Sequence, residues 1–244
     1  HHSPGDPIGY LSAESDRLAA GMDRKKRDED LERTGGWDAF IKTALHSPFA
    51  GIALPGNPSS PLPAQLTLGE LLPGESLMPR SHVDTDQYQS KYRDLWTRFT
   101  GEFRKSCALE STGLFLEQVL SLSERFQWAI PSSTVDQPDI SLHDHARAAA
   151  AIGAALYRWH ERDGSLEDKD AILNRTTLKF RFLAGDLSGI QRTLFQLANQ
   201  QVRGVNKILR ARSFLMGMLT EGASLLCRQK LALPPFSVVQ NAGG

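Results

Sequence analysis

The sequence predicts an α+β fold that is predominantly helical, and three features of its pattern lead to this class. Apolar residues recur every three or four positions in several segments, which is the spacing of an amphipathic helix. Proline and glycine recur every few positions between residues 48 and 79, where they prevent a long helix or strand. Beyond Leu178 the spacing changes to the alternation of a β-strand. We therefore expect helical units joined by a connector and followed by the opening of a mixed domain.

Length, charge and cysteine content limit the class of protein. The 244 residues are 40% hydrophobic, which is enough to bury more than one core. Lys+Arg and Asp+Glu balance at 28 each, unlike the uniform field of a dedicated nucleic-acid coat or membrane-surface protein. Cys107 and Cys227 lack the spacing of a disulfide framework or a thiolate zinc site and fit a reducing cytosol. Because no apolar run approaches the length of a membrane span, we expect a cytoplasmic protein with no membrane partner.

Four helices are predicted in the first three quarters of the chain. The first spans residues 7–27. Its apolar residues are Ile8, Leu11, Leu18 and Met22. An aromatic-rich helix begins near Tyr88, and another, between about residues 116 and 126, is expected to form a bundle with it. Ser141 opens a fourth helix through a capping-box pattern, and this helix ends near His160. Its many alanines predict close helix packing.

The last quarter of the chain is predicted to run strand, helix, strand. Residues 178–184 alternate as one strand and residues 236–240 as another, with helical segments to about residue 200 and from about 205 to 231 between them. This order is the opening of an α+β sandwich such as a ferredoxin-like palm. The predicted units are a helical domain end at residues 1–47, a connector at 48–85, a helical lead-in at 86–176 and the first half of the palm at 177–244.

His1, His2 and Asp16 are the candidate metal ligands. Neutral imidazoles and a carboxylate suit divalent transition metals, which activate water for attack on a phosphodiester. By spacing alone the simpler interpretation is an exposed terminal histidine pair, even the remnant of an affinity tag, with Asp16 on a helix surface.

His143, Asp144 and His145 also resemble a metal-binding run, but consecutive residues on a helix point about 100° apart and cannot all face one ion. The pattern predicts helix capping instead, with Ser141 as the N-cap and Asp144 near the positive end of the helix dipole.

The turn at residues 185–191 is a candidate nucleotide site, with Asp186, Ser188, Gly189 and Gln191 as its polar or flexible positions. It follows a predicted strand and opens a helix, where free N–H groups receive phosphate and a carboxylate holds Mg²⁺ with a triphosphate. The glycine spacing is not that of a known phosphate-binding fingerprint. The alternative is that Asp186 and Ser188 only cap the helix.

A basic stripe follows this turn. Arg203, Lys207 and Arg210 fall at helical spacing, with Arg212 on another side. Such a stripe binds phosphate, although more often it is a solvated helix face. Apolar residues of the same helix, including Phe214 and Met218, are predicted to face a core.

Three separated blocks of this chain, in order, resemble the large subunit of type III-A (Csm-type) CRISPR effector complexes. In the first palm they are Asp-Leu-Ser-Gly-Ile-Gln at 186–191, Lys-Ile-Leu-Arg-Ala-Arg-Ser-Phe at 207–214 and Asn-Ala-Gly-Gly at 241–244. Upstream, residues 130–134 and 141–157 resemble the segment leading into that palm, where the family commonly has Tyr at the position of His143. The amino-terminal His-His and residues 16–24 are similar to the end of the family's histidine-aspartate (HD) nuclease domain.

The resemblance implies an RNA-guided antiviral assembly with two activities. An HD domain that holds Mn, Mg, Ni or Co cleaves single-stranded DNA. Paired palms make cyclic oligoadenylate from ATP. In this chain Arg210 and Arg212 are the candidate cationic contacts to the ATP phosphates. The implied partners are CRISPR RNA and target RNA held through other effector subunits, the small effector subunits, single-stranded DNA and ATP.

Two departures from the family pattern qualify this expectation. The family's His-Asp dyad lies upstream of His1 and its Gly-Gly-Asp-Asp cyclase motif beyond Gly244, so we expect the chain to be truncated at both ends and inactive alone. The alternatives are a stand-alone HD-type phosphohydrolase and a non-catalytic helical adaptor that binds RNA or protein. The missing upstream dyad is the feature that tests the stand-alone phosphohydrolase. An adaptor would show no dependence on metal or ATP.

Overall fold

The computed structural model describes residues 4–23, 40–48, 64–74, 77–195 and 204–241. Within these ranges the architecture is helical. The elements are α1 (Pro7–Asp23), α2 (Tyr88–Ser106), α3 (Thr112–Gln127), α4 (Leu142–Asp163), α5 (Lys169–Leu173), α6 (Ile190–Phe195), α7 (Val205–Leu231) and a 3₁₀ helix (Pro235–Ser237).

The predicted helices are confirmed where they fall in the described ranges, and local signals explain where α4 begins and ends. The hydroxyl of Ser141 accepts a hydrogen bond from the Asp144 N–H at 3.0 Å and starts α4, as the capping pattern predicts. Gly164, at φ 72°, ends α4 in the left-handed conformation that favours glycine. The first helix was predicted to extend to residue 27, but residues 24–27 lie outside the described ranges.

One core joins α1, α4 and α5. Its buried residues are Leu11, Ala19, Ile152, Leu156 and Ile172. α1 and α4 pack closely because small residues face each other between them: a Cβ atom added at Gly153 would lie 3.2 Å from the Oγ of Ser15. The close packing expected of α4 is therefore confirmed, and this contact positions the candidate metal site.

A second core lies between α2 and α3 and includes part of the connector. Its buried residues are Ala44, Leu68, Val83, Tyr88, Leu95, Leu122 and Phe126. The described part of the connector contains only isolated antiparallel bridges, from Gln65 to His46 and to Arg80, in agreement with its proline and glycine content. Leu68 and Val83 nevertheless contribute to the core, so the connector is anchored and does not only run over the surface.

The buried carboxylate of Glu70 fixes the connector to both helices. It forms ion pairs with Arg98 on α2 and with Arg125 on α3, the second at 2.7 Å. One residue away, the Trp128 indole N–H donates to the Gly69 carbonyl at 2.9 Å. A charged residue is tolerated at this buried position because two guanidinium groups compensate it.

The two strands predicted for the palm are wrong for this structure. Residues 178–187 are irregular, and Leu178, Phe182 and Leu183 are strongly exposed. Residues 236–240 begin in the 3₁₀ helix Pro235–Ser237 and continue without pairing. A strand is stabilised by hydrogen bonds to a neighbouring strand, and among the described residues neither segment forms a β-bridge with another. Alternation alone therefore did not produce a sheet here.

The prediction that the apolar side of α7 faces a core is also wrong within the described residues. Phe214 is 72% exposed, Met218 53% and Leu226 55%, and α7 has no buried residue. α7 packs against α6, and its far end is held by Arg158 of α4, which donates to the carbonyls of Leu231 and Ala232.

Candidate functional site

Asp16 on α1 and His145 on α4 lie in direct contact, although 129 positions separate them in the chain. The Nε2 atom of His145 is 3.1 Å from the Oδ1 atom of Asp16. The Asp16 side chain is 46% exposed and that of His145 only 16%. The pair therefore combines a carboxylate that solvent reaches with an imidazole held in place by its surroundings.

Two local features bring the pair together. The Ser141 cap fixes the start of α4, so His145 lies in the first turn and its N–H bonds to the Ser141 carbonyl at 3.0 Å. The close approach of Gly153 to Ser15 holds α4 against α1. The sequence contains no signal for this contact, because it depends on how two distant helices pack.

The Asp16 and His145 donors fit a divalent transition metal. Two ligand atoms bound to one ion at about 2.1 Å and at right angles lie about 3 Å apart, close to the separation found here. One nitrogen and one oxygen donor also suit such an ion chemically. Among the described residues, no group of three or more His, Cys, Asp or Glu side chains is placed to hold a metal. The other two candidate ligands, His1 and His2, lie outside the described ranges.

The neighbours of His145 serve the helix, as the capping interpretation predicts. The Ser141 hydroxyl donates to the Asp144 carboxylate at 2.6 Å and completes the cap. His143 is buried, with Nδ1 3.1 Å from the Ser123 hydroxyl, and burial lowers the pKa of its imidazole. Asp144 and His143 are thus structural residues, and His145 alone of the three meets Asp16.

The candidate nucleotide turn is exposed and precedes a short helix. α6 begins at Ile190, and the carbonyl of Gly189, at φ 77°, accepts a hydrogen bond from the Thr193 N–H at 3.0 Å. Asp186, Ser188 and Gln191 are all exposed. Neither Asp186 nor Ser188 makes a side-chain hydrogen bond within the described part of the chain, so no capping bond from them is present there.

Of the two arginines proposed as contacts for this site, one reaches the helix that follows the turn. The guanidinium of Arg212 donates to the Thr193 carbonyl in α6. The Nε–H of Arg210 donates instead to the Asn206 carbonyl of its own helix, at 3.4 Å. Lys207 is exposed on α7, and Arg203 lies outside the described ranges.

A family model described as Csm1 subunit domain B matches residues 179–244. Curated relatives match more of the chain, and each is called a CRISPR system single-strand-specific deoxyribonuclease Cas10/Csm1 of subtype III-A. The protein of Methanocaldococcus jannaschii is 28% identical over 66% of this chain and 22% of its own length. That of Streptococcus thermophilus is 25% identical over 98% of this chain and 31% of its own length. The protein of Thermococcus onnurineus is 31% identical over 63% of this chain and 18% of its own length.

The predicted resemblance to the type III-A CRISPR large subunit is confirmed. The fold agrees with it as well: a crystal structure of Csm1 from T. onnurineus superposes with a TM-score of 0.56 at 24% identity. That likeness covers 96% of this chain and 27% of the solved chain.

The chain spans about a third or less of the length of the Cas10/Csm1 relatives named above. The activities and partners of an entire large subunit are therefore matters for proposal. In the ranges that the structure describes, no helix has the length and apolar character needed to cross a membrane.

Proposed function

We propose that this chain is part of the large subunit of a type III-A CRISPR effector, and that Asp16 and His145 belong to the metal site at which the intact subunit cleaves single-stranded DNA. The relatives' description as single-strand-specific deoxyribonucleases supports the nuclease class. The observation that carries the proposal is the 3.1 Å contact between the Asp16 carboxylate and the His145 imidazole. His1 and His2 remain further candidate ligands.

The chemistry of the site divides between the ion and the side chains. A bound divalent ion (Mn, Mg, Ni or Co) supplies an activated water for attack on a phosphodiester. The Asp16 carboxylate provides an anionic ligand on the solvent side, where a DNA strand has access. The His145 imidazole provides a nitrogen ligand whose position is fixed by the first turn of α4. Neither role requires the two residues to be close in sequence.

Binding of Mn²⁺ to the 244-residue chain tests this proposal without relying on catalysis. The loss of the free-ion signal in electron paramagnetic resonance gives the dissociation constant directly. We expect Asp16→Asn and His145→Gln each to weaken binding at least tenfold, since each removes one ligand. The matched control is Asp94→Asn, which neutralises an exposed carboxylate on α2 and leaves the affinity unchanged.

Two outcomes contradict parts of the assignment. Equal affinity in the parent and in Asp16→Asn shows that the metal does not bind at Asp16. A loss in Asp16→Asn with none in His145→Gln shows that the imidazole is not a ligand.

We also propose that residues 177–244 begin the palm and that the turn at Asp186–Gln191 borders the ATP pocket of the cyclic-oligoadenylate synthase. The start of the domain B match at residue 179 supports this boundary. The side chains of Asp186 and Ser188 are exposed and make no capping bond within the described ranges, which leaves them available to a nucleotide. Arg212, which contacts α6, is favoured over Arg210 as the nearby cation.

Asp186→Ala and Ser188→Ala in the complete large subunit separate a nucleotide role from a structural one. We expect both changes to weaken ATP affinity and lower oligoadenylate synthesis with little change in melting temperature. A helix cap removed by Ser188→Ala would instead cost about 1 kcal/mol of stability and leave ATP affinity unaltered. That second result would overturn the pocket assignment.

The proposed assembly includes CRISPR RNA, a target RNA and the small effector subunits. The description of the relatives as members of a subtype III-A CRISPR system supports partners of this kind.

A further inference from the structure

The α2 helix carries an exposed tryptophan at the outer end of a line of stacked aromatic rings. The Trp96 ring stacks on Phe99 at a centroid distance of 5.9 Å, and Phe99 stacks on Phe103 at 5.8 Å. Phe99 in turn meets the buried Phe126 edge to face at 5.9 Å. Trp96 itself is 66% exposed. Its ring is therefore oriented by the core on one side and open to water on the other.

The charged residues of α2 that lie on the same side as Trp96 are basic. At about 100° per residue, Arg93 and Arg104 lie within about 80° of Trp96 around the helix axis. Both are exposed, and neither forms an ion pair with a carboxylate of the described residues. The acidic residues of the helix, Asp94 and Glu102, lie at least about 120° away. Glu102 is moreover paired with Lys105 at 2.8 Å.

This combination points to single-stranded nucleic acid as the occupant. Nucleobases present flat π-faces that stack on an exposed indole, whereas the bases of a duplex are already stacked and closed. Arginines without carboxylate partners attract the phosphates on either side of a stacked base. An apolar protein partner would gain from the indole but would have to desolvate two guanidinium groups that have no carboxylate partner among the described residues. A lipid surface would require several apolar side chains at the same edge, which the sequence of α2 does not supply.

We propose that Trp96, Arg93 and Arg104 form a binding surface for single-stranded nucleic acid, with one base stacked on the Trp96 ring. The surface lies on α2, whereas Asp16 and His145 lie on α1 and α4. The binding requires no metal ion and does not depend on the nuclease proposal.

Fluorescence anisotropy with labelled 12-nucleotide oligothymidine and oligouridine, in EDTA and 50 mM NaCl, tests the surface on the 244-residue chain. We expect Trp96→Ala to weaken binding about tenfold and Trp96→Phe to retain most of the affinity, since stacking tolerates another aromatic ring. We expect the pair Arg93→Gln and Arg104→Gln to lower the slope of log K against log salt by about 1.4, because each lost phosphate contact removes about 0.7.

Two controls match these variants. Lys105→Gln removes the same charge from another side of α2, and Leu114→Ala removes an exposed apolar side chain from α3. Both should bind within twofold of the parent. Similar affinity for the two oligonucleotides would indicate that the surface contacts bases and phosphates but not the sugar. A difference in affinity would show whether DNA or RNA is preferred. Both results support the surface.

The proposal is overturned if the parent binds neither oligonucleotide, or if Trp96→Ala binds within twofold of the parent. Should Trp96→Ala lose its helical circular dichroism, the charge reversals Arg93→Glu and Arg104→Glu provide the test instead. Unchanged affinity in that double variant likewise contradicts the proposal. Because the assay contains EDTA, a failure here leaves the metal site of Asp16 unaffected.

Discussion

Glu14 on α1 and Arg175, which follows α5, form an ion pair through two contacts of 2.6 Å and 3.2 Å. The Glu14 side chain is 3% exposed and that of Arg175 58%, so the carboxylate is buried and the guanidinium reaches water. The pair ties the first helix of the chain to the segment that leads into residue 179, where the domain B match begins. We therefore expect it to stabilise the contact between these two parts.

Arg175→Ala should lower the free energy of unfolding by about 1–3 kcal/mol. Removing one partner of a fully buried pair costs about 3–5 kcal/mol, and the exposure of Arg175 reduces this value. Urea denaturation measures the change. Arg181→Ala, which removes an exposed arginine nearby, is the control and should change stability by less than about 0.5 kcal/mol. Equal stabilities of the two variants would show that Glu14 is compensated without Arg175.

His160 should make the chain less stable in mild acid. The imidazole is buried, and burial, followed by the charge of Lys179, lowers its pKa below the ordinary value of 6.5. The hydrogen-bond network assigns the proton to Nδ1, which donates to Ser165 Oγ at 2.7 Å, and that hydroxyl donates to Asp163 at 2.9 Å. Nε2 is then a buried atom without a hydrogen bond within the described residues. Protonation would place a second N–H there with no acceptor.

The sign of the pH effect follows from the lowered pKa. Between the folded pKa and about 6.5, the unfolded chain binds the proton and the folded chain does not, so stability falls as the pH falls. We expect the parent to lose up to about 1 kcal/mol more than His160→Gln between pH 7.5 and pH 5.5. His82→Gln, at an exposed histidine, should retain the parental pH dependence. Parallel stability curves for the parent and His160→Gln would contradict this assignment.

Alanine substitutions at two glycines should have opposite effects on the melting temperature. Gly164 has φ 72° at the end of α4, where a Cβ atom is strained, so Gly164→Ala should cost about 1 kcal/mol. Gly217 lies inside α7, and outside its own helix backbone no atom of the described residues lies within 4 Å of an added Cβ, so Gly217→Ala should gain about 0.5–1 kcal/mol from helix propensity. Thermal denaturation followed by circular dichroism gives both shifts. A gain in both variants would contradict the left-handed end of α4.

Ser141→Ala should destabilise α4 by about 1 kcal/mol through loss of its N-cap. The Ser141 hydroxyl both accepts from the Asp144 N–H and donates to the Asp144 carboxylate. Ser111→Ala is the comparison at the start of α3, where the cap bond is 3.4 Å long and exposed. Urea denaturation should therefore give the larger loss for Ser141→Ala, and the reverse order would show that burial and geometry do not set the strength of these caps.

Features encoded by neighbouring residues could be predicted from the sequence. Ser141 and Gly164 set the ends of α4 through bonds that span three or four residues, so their pattern was sufficient. Features that depend on distant segments could not be predicted in this way. The contact of Asp16 with His145 requires α1 to pack on α4, and no spacing within either helix encodes that arrangement.

Two predictions failed because they depend on distant segments: the strand at residues 178–184 and the buried side of α7. Alternation predicted which residues share a face of a strand, but pairing requires a second strand, and none lies beside residues 178–184 in the described ranges. Helical spacing likewise predicted an apolar side for α7 but not what covers it, and Phe214 and Met218 are exposed.

Helix α4 restricts how the two ends of the described chain can rotate relative to each other. His145 in its first turn contacts Asp16 of α1, and Arg158, 13 residues later and about 20 Å along the axis, holds the last carbonyls of α7. One continuous helix, hydrogen-bonded along its length, connects these two points. The same element therefore carries a contact to α1 near its first residue and a contact to α7 near its last. The relative placement of α1 and α7 depends on α4 more than on any direct contact between them.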